Sequence, residues 1–368
     1  MADMLEYLAW RGDILFSQLG VNEVDALIFS TLSYIRYDGI LSQDLNVVIP
    51  LETVYKVLME QPEPQSCCRH EKDLELLQAA AESDRFGQVG GTFYRSVFAP
   101  QEETQFAAMT FLLDDGTALL AFRGTDSTLV GWKEDFNMSF RRSVPAQRLA
   151  QEYVQRYASF SPALLHLAGH SKGGKPAVYA GAKCGELGRE RILDVYNFDG
   201  PGFTQWMLEE PGYRKIVPRV KTFLPQFSVF GLMLEREEGY RVIRSDGAGL
   251  MQHEPYTWQV RGREFVPGGE LNERALFLDK TLTAWREGLS NEERGDFFDS
   301  LFEILMQENA NHPKDVLRPQ NILAALKTIH VEEGKRRMLS CVLQDLVDTA
   351  KNLKNPAEKQ QPQLTEVN

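Results

Sequence analysis

Apolar residues recur at roughly helical spacing near the start of the chain. Within residues 22–37 these positions are Val24, Leu27, Ile28, Leu32 and Ile35. Their spacing predicts a helix with one buried face, and a second helix is predicted over residues 51–61. Residues 62–91 are irregular, with prolines, the pair Cys67-Cys68, a charged helical piece and a glycine-rich end. That segment is interpreted as a surface excursion or a lid.

Strand patterns begin after residue 105. Residues 106–113 and 117–122 flank Asp-Asp-Gly, which predicts a hairpin because the Asp-Gly pair accepts positive φ. The predicted order then runs helix 145–160, strand 163–168, helix 174–187, strand 192–198, strand 219–224 and strand 240–244. This alternation predicts an α/β fold with a mainly parallel central sheet and helices on both faces.

The pattern changes again after about residue 269. Residues 272–289, 291–308 and 320–353 are charged and amphipathic, with a break at 311–313, and are predicted to be helices. The last residues are polar and carry no such pattern. We expect one α/β domain over residues 1–270, a helical appendage over 271–354 and a flexible tail over 355–368.

Composition narrows the class of protein. The chain has 368 residues, 43% of them hydrophobic, which excludes disorder as a whole. Lys and Arg number 40 against 52 Asp and Glu, and the net charge of −12 argues against nucleic acid as a partner. The N-terminus lacks a signal-peptide pattern and no stretch is long and apolar enough to span a membrane, so a cytoplasmic location is expected.

The cysteines and other metal-binding residue types show no ligand spacing. Four cysteines are too few for a disulfide scaffold and are interpreted as reduced thiols. No His, Asp or Glu cluster has the spacing of a metal site. We therefore expect neither a metal nor another cofactor.

A nucleophile elbow is the strongest chemical signal. Residues 169–173 read Gly-His-Ser-Lys-Gly, which matches G-x-S-x-G between a predicted strand and a predicted helix. The glycines are needed because the sharp turn strains the serine backbone and leaves no room for neighbouring side chains. Ser171 is the candidate nucleophile, and the alternative is an ordinary glycine-rich turn. His170 should point away from Ser171 and is interpreted as a packing residue.

An oxyanion hole has two candidate donors. The turn after the hairpin reads Ala-Phe-Arg-Gly-Thr and ends at Thr125. The backbone N–H groups of Thr125 and Lys172 are the expected pair of donors. The Lys172 side chain either favours an anionic substrate or forms a salt bridge to Asp126, Glu134 or Asp135. The salt bridge is the preferred interpretation, since Lys is rarely unpaired in a partly buried site.

The base and the acid are expected after the serine, in the order serine, acid, histidine. Three of the six histidines follow Ser171, and two of these lie in the predicted appendage, which leaves His253 as the base. Asp199, at the end of the strand over 192–198, is the first candidate for the acid. Asp246 is the second and Glu235 the third. The alternative for Asp199 is an Asx turn that satisfies its own backbone.

These motifs resemble the class 3 (fungal-type) lipases of the α/β-hydrolase fold, and more closely a bacterial lipase-like family of unknown function. The resemblance covers roughly residues 14–260. It rests on the stretches 122–125, with Trp132 and Asp135 downstream, 169–174, 197–203 and 252–258. It implies a serine hydrolase, with Ser171 and His253 in the matching positions.

Two positions depart from the class 3 pattern. Lys172 stands where these lipases usually carry Leu, and residues 224–228 hold no carboxylate where these lipases place the acid. Either the acid has moved to Asp199, a position that resembles the vertebrate pancreatic-type lipases, or the triad is incomplete.

The leading hypothesis is a serine hydrolase whose partner is a small-molecule acyl ester or a lipid, with transient contact to a lipid surface. Residues 227–234 form an apolar run that lines an acyl pocket, touches lipid, or belongs to the core. The hypothesis from another class is a non-catalytic scaffold that keeps the hydrolase fold and binds a partner through its helical appendage. A thioesterase or a peptidase is the third option. The sequence leaves the oligomeric state open.

Overall fold

The computed structural model describes residues 2–126, 128–307 and 333–354. The chain forms two compact units, Met1–Ala275 and Leu276–Asn368. The first unit carries the sheet and every candidate site residue, and the second is helical in its described part.

The central sheet of the first unit has eight strands in the described residues, and their order across the sheet follows the chain. The strands are β1 (Ile49–Pro50), β2 (Gly90–Ala99), β3 (Thr104–Leu112), β4 (Ala118–Phe122), β5 (Leu165–His170), β6 (Ile192–Phe198), β7 (Val220–Pro225) and β8 (Tyr240–Ile243). Strands β1 to β4 pair antiparallel, and β4 to β8 pair parallel. The mainly parallel α/β sheet that the sequence predicts is confirmed.

Helices cover the sheet and form the second unit. They are α1 (Met4–Arg11), α2 (Glu23–Leu32), α3 (Leu51–Met59), α4 (Asp73–Glu82), α5 (Asp84–Gly87), α6 (Leu129–Asn137), α7 (Pro145–Phe160), α8 (Gly174–Lys183), α9 (Glu186–Arg191), α10 (Gln205–Leu208), α11 (Pro211–Ile216), α12 (Glu273–Glu287), α13 (Asn291–Gln307) and α14 (Glu333–Lys354). A small antiparallel ribbon pairs β9 (Val260–Arg261) with β10 (Glu264–Phe265).

The two faces of the sheet have separate apolar cores because side chains alternate along each strand. On β4, Leu119 and Ala121 join the core that α2, α3 and α4 share. Leu120 and Phe122 join the other core, which α7 and α8 cover. Helices therefore lie on both faces, and the loops after the parallel strands meet at one edge of the sheet.

Strand β2 and helix α6 are among the elements that the sequence pattern did not predict, and some predicted boundaries differ from those observed. Strand β2 contains a register shift between Thr92 and Arg95, and Phe93 has a φ of 50°. This irregularity interrupts the alternation that marks a strand. The predicted helix over 174–187 divides into α8 and α9 at Gly185, whose φ of 86° ends a helical turn.

The segment 62–91 contributes to the core that α2, α3 and α4 share. Leu76, Leu77 and Ala80 of α4 and Phe86 of α5 are buried in it. These two helices are therefore part of the core, whereas a lid would cover the surface from outside.

The helical unit has an aromatic core of its own. The indole N–H of Trp285 on α12 donates to the carbonyl of Val342 on α14 at 3.0 Å. The Trp285 ring meets Phe297 of α13 edge-on, with centroids 5.6 Å apart. The break predicted at 311–313 and the tail predicted at 355–368 lie outside the described residues. Within those described, no helix is long and apolar enough to cross a membrane.

Candidate active site

Ser171 sits on a strained turn between a strand and a helix. Strand β5 ends at His170, a turn over Ser171–Gly173 follows, and α8 begins at Gly174. The φ of Ser171 is 58°, in the left-handed region that a non-glycine residue rarely adopts. The positive end of the α8 dipole lies next to the serine, which favours negative charge at that place.

Close backbone contacts explain the glycines of the turn. A Cβ atom at Gly169 would lie 2.2 Å from the carbonyl oxygen of Gly173. A Cβ atom at Gly173 would lie 2.1 Å from the carbonyl oxygen of Phe122, at the end of β4. A side chain at Gly169 would clash within the elbow itself, and one at Gly173 would force the elbow away from β4, so the geometry requires glycine at both.

The turn after β4 brings Thr125 to the elbow. Gly124 packs so tightly that a Cβ atom there would lie 2.6 Å from the carbonyl oxygen of His170. The Thr125 hydroxyl donates to Asp135 Oδ2 on α6. Burial raises the pKa of Asp135 to about 6, against the opposing effect of the Lys172 charge and the Thr125 hydrogen bond.

The Lys172 side chain forms a buried ion pair. Its Nζ lies 2.6 Å from Glu134 Oε2 and donates to the Gln105 carbonyl at 2.8 Å. Glu134 also accepts from the backbone N–H groups of Gln105 at 3.0 Å and Ala146 at 2.8 Å. The salt-bridge interpretation is confirmed, with Glu134 as the partner. A charge held in this way is not offered to an anionic substrate.

Asp199 and His253 meet at the same edge of the sheet. The Nδ1 atom of His253 lies 2.5 Å from Asp199 Oδ2. Asp199 is fully buried just past β6, with a φ of 52°, and its N–H donates to the Phe223 carbonyl of β7 at 2.9 Å. The Ser228 hydroxyl donates to the other oxygen, Asp199 Oδ1. The carboxylate is thus held on both oxygens.

Ser228 lies in the loop after β7, where the class 3 lipases carry their acid. The C-terminal ends of the parallel strands β6 and β7 are neighbours, so a carboxylate after β6 reaches the same place. A Cβ atom at Gly231 would lie 2.3 Å from Asp199 Oδ1. The absence of a side chain at Gly231 therefore leaves room for the carboxylate.

The His253 ring lies between two aromatic rings. His253 ends the turn Gly249–His253, and its ring centroid is 4.6 Å from that of Phe230 and 4.7 Å from that of His170. Phe230 meets the Trp132 ring edge-on at 6.5 Å. About a fifth of the His253 side chain is exposed (21%), so solvent still reaches the ring.

The other two candidates for the acid, Asp246 and Glu235, make contacts with other residues. Asp246 accepts from the Gln259 side chain, and its N–H donates to the Thr257 carbonyl. Glu235 pairs through its backbone with Phe203. Ser228 and Phe230 belong to the run 227–234 that the sequence offered as a pocket lining, but their contacts with Asp199 and His253 were not predicted. Their position after β7 was the only available signal for those contacts, because nothing local relates them to His253.

Among the described residues, no cluster of His, Cys, Asp and Glu could hold a metal ion. A mainly parallel sheet with a serine on a strained strand-to-helix turn defines a lipase-like α/β-hydrolase. A family model described as Mbeg1-like matches residues 80–303, more than half of the chain. The chain belongs to the Mbeg1-like family, a class 3 lipase-like family of unknown function. No curated protein matches this chain.

Proposed function

We propose that the protein is a serine hydrolase that cleaves carboxylic esters through Ser171, His253 and Asp199. One observation carries this proposal: a fully buried carboxylate is hydrogen-bonded to the Nδ1 atom of a histidine at the sheet edge that bears the strained serine. That arrangement fixes Nδ1 as the donor and leaves Nε2 to accept a proton.

The reaction follows from these positions. Ser171 Oγ attacks the ester carbonyl while His253 Nε2 takes the hydroxyl proton. The backbone N–H groups of Thr125 and Lys172 stabilise the oxyanion, and Asp199 stabilises the imidazolium. His253 returns the proton to the departing alcohol, and the acyl group stays on Ser171. Water then attacks the acyl-enzyme with His253 again as the base, which releases the acid and restores the serine.

Apolar side chains near the base support an acyl ester or a lipid as the substrate. Phe230 and Trp132 form an aromatic contact beside His253. Leu250 and Met251, on the same turn as His253, are 60% and 59% exposed. Exposed apolar side chains next to a catalytic group favour contact with an acyl chain or a lipid surface.

The test is labelling with a fluorophosphonate, read by intact mass, together with hydrolysis of p-nitrophenyl esters of increasing chain length. The wild type should gain one adduct and Ser171→Ala should gain none. Ser159→Ala, an exposed serine on α7, should behave as the wild type. Ester turnover should be lost with Ser171→Ala, and the chain-length profile separates an esterase from a lipase. A folded wild type that gains no adduct would support the non-catalytic scaffold instead.

A further inference from the structure

His170, the residue before the candidate nucleophile, bonds to the backbone of the candidate base. Its side chain is buried, and its Nε2 atom lies 2.9 Å from the carbonyl oxygen of His253. Its Nδ1 atom lies 2.9 Å from the hydroxyl of Tyr34, which follows helix α2. Packing alone, the interpretation from sequence, does not require either of these polar contacts.

The two contacts together determine the tautomer of His170. A carbonyl oxygen can only accept, so Nε2 must carry a proton to bond to His253. In a neutral ring Nδ1 is then an acceptor, and the Tyr34 hydroxyl donates to it at 2.9 Å in preference to the His170 carbonyl oxygen, which lies 3.3 Å away. Tyr34 is itself buried against the turn after β4, since a Cβ atom at Gly124 would lie 2.0 Å from its hydroxyl. The hydroxyl therefore has little freedom to leave.

The surroundings keep His170 neutral. Burial lowers the pKa of His170 well below its usual range, and the neighbouring His253 lowers it further. This matters because the two imidazole centroids are only 4.7 Å apart. A charged His170 would oppose protonation of His253, whereas a neutral one supports the backbone without adding a like charge.

Several contacts hold the turn that carries His253. The side chains of Leu250 and Met251 are largely exposed and contribute little, but Gln252 accepts from the Phe227 N–H and from the Trp258 indole N–H, each at 2.8 Å. The residue after His253, Glu254, is tied to Arg69 by a pair of hydrogen bonds at 2.7 and 3.0 Å. The hydrogen bond from His170 acts on residue 253 itself and comes from the residue next to Ser171. It thus links the base directly to the turn that carries the nucleophile.

We propose that His170 is a positioning residue for His253, and that Tyr34 holds His170 in the tautomer that donates to the His253 carbonyl. The inference rests on the proposed function, because His253 has to be the base. Loss of the donor would let the 253 turn move, and a shift of about 1 Å in a reacting group can cost about 100-fold in rate.

The first test compares His170→Leu with His170→Gln, whose amide can place a donor near the lost Nε2. With a p-nitrophenyl ester, His170→Leu should lower kcat by about 10- to 100-fold with KM within about twofold. His170→Gln should recover part of the loss. The matched control is His166→Leu, a buried histidine on the same strand that pairs with Asp194 at 3.3 Å. It should lower the melting temperature but not kcat. Folded His170→Leu with wild-type kcat overturns the proposal.

A smaller change covers the case in which His170→Leu does not fold. Tyr34→Phe removes only the hydroxyl that sets the tautomer, and it should lower kcat by about threefold or more. Tyr37→Phe is the control, because Tyr37 is also a buried tyrosine and its hydroxyl donates to the Leu32 carbonyl at 3.0 Å. Equal kcat in these two variants contradicts the role of Tyr34.

A second readout does not depend on turnover. The proton between His253 Nδ1 and Asp199 should give a low-field proton NMR signal in the wild type, absent from His253→Gln. The signal should weaken or exchange faster with solvent in His170→Leu and Tyr34→Phe. It should persist in the control variants His166→Leu and Tyr37→Phe. An unchanged signal in them overturns the positioning role even if the wild type hydrolyses no ester. Failure of the proposed function is recognised separately, by the missing Ser171 adduct.

Discussion

Two flanks of the nucleophile turn bury carboxylates in different ways. On the β4 flank (Thr125, Glu134, Asp135 and Lys172), Lys172 forms an ion pair with Glu134, and Asp135 accepts a hydrogen bond from the Thr125 hydroxyl. On the β6–β7 flank (Asp199, Ser228 and His253), one carboxylate has a donor on each oxygen. Burial is common to both flanks, so it does not decide what a carboxylate does. The partner differs from one carboxylate to the next: a lysine for Glu134, a hydroxyl for Asp135 and a histidine ring for Asp199.

The largest expected effect comes from breaking the β6–β7 flank at Asp199. Asp199→Asn keeps the shape but favours the wrong tautomer of His253, and kcat for a p-nitrophenyl ester should fall by about 10⁴-fold. Asp194→Asn is the control, since Asp194 lies on β6, the strand that leads to Asp199, and pairs with Lys221. A kcat within about tenfold of the wild type for folded Asp199→Asn would contradict the triad.

Breaking the β4 flank should affect stability. Lys172→Met leaves Glu134 buried without its cation, and the free energy of unfolding in urea should fall by about 3–5 kcal/mol. Adding Glu134→Gln should recover part of that loss. Lys215→Met, in a pair with Glu186 that is 61% and 76% exposed, should change stability by less than about 1 kcal/mol. A change as small as this in Lys172→Met would show that the buried pair is not needed.

Asp135 makes the β4 flank sensitive to pH. Its pKa is raised by burial from 3.8 to about 6 in the folded protein, so the folded state binds a proton that the unfolded state has released. The Asp135 contribution to stability is present below about pH 4 and is lost as pH rises to about 6. Asp135→Asn removes this loss. As pH rises from about 4 to about 6, the free energy of unfolding of Asp135→Asn should therefore increase, relative to that of the wild type, by up to about 3 kcal/mol.

Urea unfolding of both proteins from about pH 4 to about pH 7 measures this difference. Asp44→Asn is the control, because hydrogen bonds from Asn46 lower the pKa of the Asp44 carboxyl, which is therefore mostly ionised in both states above about pH 4, and its difference from the wild type should vary little over this range. If the difference between Asp135→Asn and the wild type does not vary with pH, Asp135 does not titrate in this range.

The smallest effect belongs to Ser228. Ser228→Ala removes one donor from Asp199 while the His253 bond remains, and kcat/KM should fall by roughly tenfold, or about 1.4 kcal/mol. Ser139→Ala, a largely buried serine whose hydroxyl donates to the Phe136 carbonyl, is the control. Equal values for Ser228→Ala and the wild type would show that the second donor is dispensable.

Local pattern was sufficient for most of the sheet and for the elbow. Strand β6 and helix α7 have the predicted bounds, because each is a single run with one clear period. Strand β2 was missed because its irregularity near Phe93 breaks the period, and α6 was missed because its apolar pattern is weak.

The site divides in the same way. The strand, the glycines and the serine of the elbow could be predicted from the sequence alone, because a sharp turn imposes its requirements on adjacent residues. Chain order likewise left His253 as the candidate for the base. The contacts of Asp199 with His253, of Lys172 with Glu134 and of His170 with the His253 carbonyl depend on how the chain folds. These contacts join residues 38 to 83 positions apart, and no local pattern relates them.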